Sequence, residues 1–446
     1  MRLALCILLL LLAHSTRAAT YYVSSGGDDG NPGTYASPFA TLQAGFNVVS
    51  AGDTVVLLAG TYSADATTAA NGTVLYPITI LGSNAPVVTG SVTLQNSYYV
   101  VKDVSWQCAN PAFTGRINFS TTNCHDNLIL SNRWSAIYNG INFGGDSPQW
   151  TNGCHNNTVR GCVLSNCIDQ EMISWAGYSN TVEQCLLVDS HGWDALRVFG
   201  ARHIIRSNTF NNISTDGGNP NHCDTIQTFS NNGEECHEIV FEQNTLANCN
   251  AQLGNLEDTN TNNAVHDIVF RNNLFIGGEM QMNVCAPRTM FYNNTWVGCG
   301  SSTIVAFRND RGGSAGSQFY NNILFGCGSP ATSANQGIIG DMDNAGEDHD
   351  YNFYAGPSGE TKSISEGHGI NGGFPGLVST NSPYDPHLQS GSVCIGAGMN
   401  LSSLFTVDKD GKPRGSMWDI GAYQYATPAP ITLRATTLRV GQIISR

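Results

Sequence analysis

A chain of 446 residues with 12% charged side chains is long enough for several domains or one elongated domain. Its 34 acidic against 20 basic residues make nucleic acid a poor partner, because neutralising phosphates needs Lys and Arg. The same excess, a formal charge of −14, repels an acidic polysaccharide unless a cation bridges the two.

Residues 1–19 read as a signal peptide: Arg2, the apolar run Leu3–Ala13, then small residues in "STRAA". That run is too short to span a bilayer comfortably, and no later segment is apolar enough. A secreted, extracellular or periplasmic protein with no membrane span is expected. Residues 20–40 pair a short strand with a Gly/Asp/Pro-rich loop. Thr41–Val49 has helical apolar spacing through Leu42, Phe46 and Val49, and can plug the open end of a stack of strands. "AGDTVVLLAGTY" (Ala51–Tyr62) is the first strong strand run.

From about Val92 to about Phe353 one phrase recurs. Asn132 in "ILSNRW", Asn208 in "RSNTF", Asn244 in "EQNTL", Asn273 in "RNNLF", Asn294 in "YNNTW" and Asn322 in "YNNIL" each follow a β-type run and a polar turn. Asp103, Cys162 and Cys185 fill the slot in the remaining copies, at intervals of 21 to 36 residues. A unit of that size cannot bury its own apolar face and must stack on its neighbours. Asn tolerates left-handed backbone and bonds its own turn, so stacked Asn residues can form a ladder. The reading is a parallel β-solenoid, in which residues in register along the chain become neighbours in space.

Of 14 cysteines, all but Cys6 follow the leader, and an odd number leaves at least one unpaired. Cys124 and Cys154 open matching "CHxN" phrases, and Cys167, Cys249, Cys299 and Cys327 each lie five residues after a ladder position. Small apolar filler inside the coil is expected, with disulfides between adjacent rungs left open; the spacings do not match a zinc site. Asp341, Asp343, Glu347, Asp348 and Asp350 offer oxygens of the kind calcium favours. Their loop lacks EF-hand spacing and reads as a solvated turn. Residues 427–446 read as a linker or poorly ordered tail.

The stretch "YYVSSGGDDGNPGT…SPFATLQAG…AGDTVVLLAGTY" resembles the N-terminal signature of secreted right-handed parallel β-helix proteins of the pectate-lyase-like superfamily. "DKDGKPRGSMWDIGAYQY" (Asp408–Tyr425) resembles the closing segment of bacterial members. With the rungs, the resemblance covers about residues 20–426. It implies an all-β, right-handed single-stranded parallel β-helix with an N-terminal helical cap, of the polysaccharide-active type. It does not select an activity, since lyases, hydrolases, epimerases and non-catalytic surface proteins share the scaffold.

Four rungs align on one strand: "QEMISWAG" (170–177), "WDALRVFG" (193–200), "CDTIQTFS" (223–230) and "LGNLEDTN" (253–260). The period of two directs Ile173, Leu196, Ile226 and Leu256 inward and Ser174, Arg197, Gln227 and Glu257 outward. Glu171, Asp194 and Asp224 stand at their strands' starts. With rungs roughly 4.8 Å apart, the alignment predicts an exterior cluster of Glu171, Asp194, Asp224 and Glu257 around Arg197. His191 and His222 precede their strands. The longest interval carries an insertion at 211–222 that can wall a groove. Trp175, Trp193, Phe199 and Phe229 frame the column, either for sugar rings or as packing. The structural alternative is that strand-start acids bond turn amides of the next rung while Arg197 neutralises them.

Carboxylates stacked at about 5 Å repel, so a pKa rises or a cation binds. In an elimination, Glu171, Asp194, Asp224 and Glu257 hold Ca²⁺ against a uronate carboxylate while a base removes the C5 proton. No lysine falls between Asp103 and Glu360. Arg197, as in the pectate-lyase-like enzymes the chain resembles, or His222 is then the base. In a hydrolysis, Asp194 and Asp224, one rung apart, suit a retaining pair. Asp194 and Glu257, about 10 Å apart, sit near the limit for an inverting one. Gln227, Trp193, Trp175 and Glu257 are the sugar-binding candidates. The expectation is a secreted, monomeric enzyme that degrades a polysaccharide, with calcium-assisted elimination ahead of hydrolysis. A non-catalytic glycan-binding envelope protein is the rival of a different class.

Overall fold

The computed structural model describes residues 18–108, 115–120, 124–143, 153–215, 223–230, 233–250, 252–257, 263–300, 303–308, 313–328, 339–340 and 347–425. The expected leader up to residue 17, the 427–446 tail, His222 and most of the 341–350 acidic loop lie outside them.

Three long parallel sheets of 14, 13 and 11 strands account for nearly all regular structure. The first runs from Thr20–Val23 to Asp348–Asp350, the second from Thr61–Tyr62 to Ile370–Asn371, and the third from Ala66–Thr67 to Ile339–Gly340. Successive strands visit first, second and third sheet in turn, so each circuit is one rung. Stacking therefore begins well before Val92. Inward positions repeat rung on rung: Ile205, Phe241, Phe270, Phe291 and Phe319 pair in register and are buried. The Phe241–Phe270 and Phe270–Phe291 rings stack with centroids 4.7 and 5.0 Å apart, the rung spacing itself. The helix spans Leu42–Val48, capped by the Thr41 side chain accepting from Ala44 N, and it buries Leu42 and Phe46. All thirteen cysteines from Cys108 to Cys394 are buried thiols, as expected of filler.

The Asn ladder occupies the corner between first and second sheets, and its physical basis differs from the expected one. The left-handed residue is the one before each ladder position: Ser131, Gln184, Ser207, Gln243, Asn272, Asn293 and Asn321 have φ between 53° and 59°. Asp103 (φ 58°) belongs to that turn position, so Val104 fills the ladder slot. The Asn side chains instead stitch rungs together. Asn244 Nδ2 donates to Ile205 O at 2.8 Å, and its Oδ1 accepts from Asn208 N at 2.9 Å. The pattern runs on through Asn273, Asn294, Asn322 and Asn352, where Glu366 Oε2 accepts the last amide at 2.9 Å. Each bond satisfies a buried corner amide that would otherwise cost about 1–3 kcal/mol.

A second ladder, not anticipated, joins Asn127, Asn157 and Asn180 at another corner and ends on His203. His203 Nδ1 accepts from Asn180 N and Nε2–H donates to Phe199 O, which fixes a neutral tautomer. Burial pushes its pKa down to about 3. A base depressed in the folded state favours folding above its unfolded value and loses that contribution as pH falls. Urea titrations should show unfolding free energy dropping from pH 6.5 toward 3, and less steeply in His203→Asn, whose amide oxygen continues the ladder.

After the rungs, the chain forms one antiparallel ribbon (Leu377–Ser379 with Asp385–Leu388) and then packs back along the coil. Leu401, Phe405 and Trp418 cover Tyr292 and Tyr320. Arg414 is buried there, donating to Asn272 Oδ1 at 2.7 Å and to the Gly421 and Ala422 carbonyls at 3.0 Å. The described acids of the 347–350 stretch are occupied by protein donors: Glu347 by Ser314, Asp348 by Tyr320 and Asp350 by His368.

Candidate active site

The strands Ile173–Trp175, Leu196–Val198, Asp224–Phe229 and Gln252–Glu257 are consecutive in the third sheet. Ser174 pairs with Arg197 and Arg197 with Gln227, as the alignment predicts. The fourth rung is shifted by two. Gln227 pairs with Asn255, Ile226 with Gly254, and Glu257 with Phe229. The expected place of Glu257 beside Gln227 is therefore wrong. Aligning on apolar residues matches Leu256 to Ile226, whereas Gly254 takes that inward slot and Met282 of the next rung packs against it.

Arg197 organises the cluster. Its Nε and Nη2 lie 3.2 and 2.7 Å from Asp194 Oδ2, its Nε also donates to Gln227 Oε1 at 3.1 Å, and Nη1 is 3.4 Å from Glu171 Oε2. Asp194 does two jobs at once, because its Oδ1 accepts from the Asp224 amide at 2.8 Å. The structural role weighed for strand-start acids and the charge cluster are thus the same arrangement. Two amides missed in the sequence complete it: Asn139 Nδ2 donates to Glu171 Oε1 at 3.2 Å, and Asn255 Nδ2 to Asp224 Oδ2 at 3.4 Å. Asn139 stands two residues before Ile141 as Glu171 stands two before Ile173, a register signal that was available.

The cluster is not exterior. Glu171, Asp194, Asp224 and Gln227 are buried, while the Arg197 side chain keeps 18% of its surface exposed. Burial, then the neighbouring Asp194 charge, pushes the Asp224 carboxyl up to about 8, with the Asn255 hydrogen bond opposing. Asp224 therefore carries a proton near neutral pH beside an ion-paired Asp194. Trp193, Phe229 and Glu257 are part-exposed around this core, and the Arg197 guanidinium lies 6.0 Å from the Phe229 ring centre.

Trp175 is not a sugar platform. It follows Ile173 by two and so points inward, fully buried against Phe143 and His203. Phe199 is likewise core. Gln227 is buried and bonded to Arg197 rather than presented to a ligand. His191 Nδ1 lies 2.9 Å from Ser214 Oγ. Among the described residues no three His, Cys, Asp or Glu side chains converge as a metal-ligand set. The expected calcium ligands Glu171, Asp194, Asp224 and Glu257 do not fit one: the Arg197 guanidinium sits on the first two, and the register displaces the last.

This chain is a parallel β-helix. GH136 lacto-N-biosidase from Eubacterium ramulus superposes on it with a TM-score of 0.53 and 14% identity, over 75% of this chain and 67% of that one. A mannuronic acid specific polysaccharide family 6 lyase from human gut microbiota gives 0.48 and 17%, over 78% and 77%. Pectate lyase Pel9A gives 0.46 and 16%, over 92% and 96%. No family model and no curated protein matches the sequence. At these identities the likeness is one of fold, so site roles must come from this chain's own residues. Among the described residues no helix is long and apolar enough to cross a membrane.

Proposed function

We propose that this protein hydrolyses glycosidic bonds of a polysaccharide, with Asp224 as general acid and Asp194 as its partner carboxylate. The supporting observation is the division of roles between two acids one rung apart. Burial, with the nearby Asp194 charge, raises the Asp224 pKa to about 8, so the carboxyl is mostly protonated below that pH. Asp194 is held as an ion pair by Arg197. Neighbouring carboxyls whose environments differ in this way are the usual signature of acid and nucleophile or base. Asp224 gives its proton to the glycosidic oxygen, Asp194 meets the positive charge growing at the anomeric carbon, and water adds its hydroxyl there while its proton returns to Asp224. Arg197 positions Asp194, and Gln227 and Glu171 position Arg197. The part-exposed Trp193 and Phe229 offer ring faces to a sugar. A lacto-N-biosidase on a similar coil is consistent with hydrolysis on this scaffold.

Calcium-assisted elimination, the alternative chemistry for this column, finds less support. The four acids do not suit calcium, because among the described residues they do not converge on a cation site. Arg197 as base fares poorly as well, since its guanidinium is already hydrogen-bonded to Asp194 and Gln227 and ion-paired with Glu171.

The test is a wide polysaccharide panel with the purified protein, following new reducing ends and ultraviolet absorbance together. Reducing ends without absorbance are expected, with activity falling as pH rises through about 8. Absorbance rising with chain cleavage, from an unsaturated product, would restore elimination. Binding without cleavage across the panel would favour the envelope-protein reading.

A further inference from the structure

Charges of opposite sign alternate in register where the first sheet turns into the second. Arg160, Glu183, Arg206, Glu242 and Arg271 close successive strands of the first sheet. Glu183 is buried, and it binds both neighbours: Oε1 takes Arg160 Nε, while Oε2 lies 2.7 and 2.6 Å from Arg206 Nε and Nη2. Burial alone would raise the Glu183 pKa; hydrogen bonds from Arg206 and Arg160 outweigh it and hold the carboxyl below its usual range. The two arginine side chains are still 45% and 43% exposed. A guanidinium has five N–H donors, and the outer ones of both forks have no protein acceptor among the described residues.

The pair borders a recess of about 380 Å³, completed by Gln184, Ser207 and Gln243. Downstream the row is sealed. Arg271 Nη1 donates to Leu404 O, and its guanidinium lies 5.2 Å from the Phe405 ring centre, under the closing segment. The same segment brings Lys409 Nζ to 2.7 Å from the carbonyl of Gln243, a lining residue. The recess is thus the uncovered end of a charge row. Its lining is polar throughout, unlike the mostly apolar pockets that hold drug-like molecules. Two guanidiniums against one carboxylate leave a local positive charge on a protein of net −14.

We propose that this recess binds an oxyanion carried on a sugar, a carboxylate or sulfate group bridging Arg160 and Arg206 over Glu183. Guanidinium forks match such groups in shape and charge, and the Gln184 amide and Ser207 hydroxyl suit ring hydroxyls. The site lies on a different sheet from the Asp194–Asp224 pair and does not depend on its chemistry.

Calorimetric titration of the full chain with D-glucuronate, inorganic sulfate and D-glucose tests this. Glucuronate should bind more tightly than sulfate, glucose not at all, and affinity should fall with added salt. Arg160→Gln leaves Arg206 holding Glu183 and should weaken glucuronate about tenfold. Glu183→Gln frees both guanidiniums and should tighten it, the opposite sign. If Glu183→Gln does not fold, Arg160→Gln and the salt series decide. Equal binding of glucose, no glucuronate binding, or unchanged affinity in Arg160→Gln would overturn the proposal. Asp224→Asn should bind glucuronate normally, so failure here is distinguishable from failure of the hydrolase reading.

Discussion

Asp224→Asn should abolish polysaccharide cleavage while making the protein more stable at neutral pH. The two effects have one cause. A carboxyl whose folded pKa is about 8 binds its proton more tightly folded than unfolded, where 3.8 applies. That raised pKa favours folding fully only below the unfolded value, and the contribution is lost as pH rises toward the folded one. At pH 7 the roughly three units above 3.8 correspond to up to about 4 kcal/mol of lost stability. Asn keeps the shape and the polar partner on Asn255 but has no proton to give. The expected result is at least a thousandfold loss of activity, on the scale of removing a general acid. Urea midpoints should rise at pH 7 and converge with the wild type near pH 4. A variant as active as the wild type would remove Asp224 from the chemistry. One destabilised at pH 7 would show that the site does not hold a protonated carboxyl.

The fold was legible because the corner phrase repeats. Each Asn marks a place where a buried amide of one rung needs an acceptor on the next, and that need recurs with every circuit. Three of the four site rungs were legible for the same reason: Ile173, Leu196 and Ile226 are apolar and in phase. The fourth failed at Gly254, since an alignment guided by apolar anchors has nothing to hold where glycine takes the inward slot. The Asn127–Asn157–Asn180 ladder was hidden by its shortness and by its end on His203, a residue type that broke the pattern. Burial of the acids could not be read either. Strand parity says which way a side chain leaves the sheet but not what lies over it.

Arg197→Met should cost stability and activity together, with a pH dependence opposite to that of Asp224→Asn. The guanidinium is the cation bonded to Asp194 and Glu171, both buried. Removing one partner of a buried ion pair leaves uncompensated charge and typically costs about 3–5 kcal/mol. The loss should be largest at pH 7 and shrink as acid protonates the stranded carboxylates. Arg197→Lys keeps the charge but not the fork, so Asp194 loses its two-nitrogen clamp; stability should return in large part and activity should not. The triple variant Glu171→Gln, Asp194→Asn, Arg197→Met removes all three charges of the network and should fold more stably than Arg197→Met alone, because neutral replacement of a whole buried network is far less costly than breaking it. Additive effects across these variants, read from urea unfolding, would mean that the three side chains do not act as one network. Non-additive stability with catalysis lost in the lysine variant would tie the orientation of Asp194, rather than the mere presence of a positive charge, to the reaction.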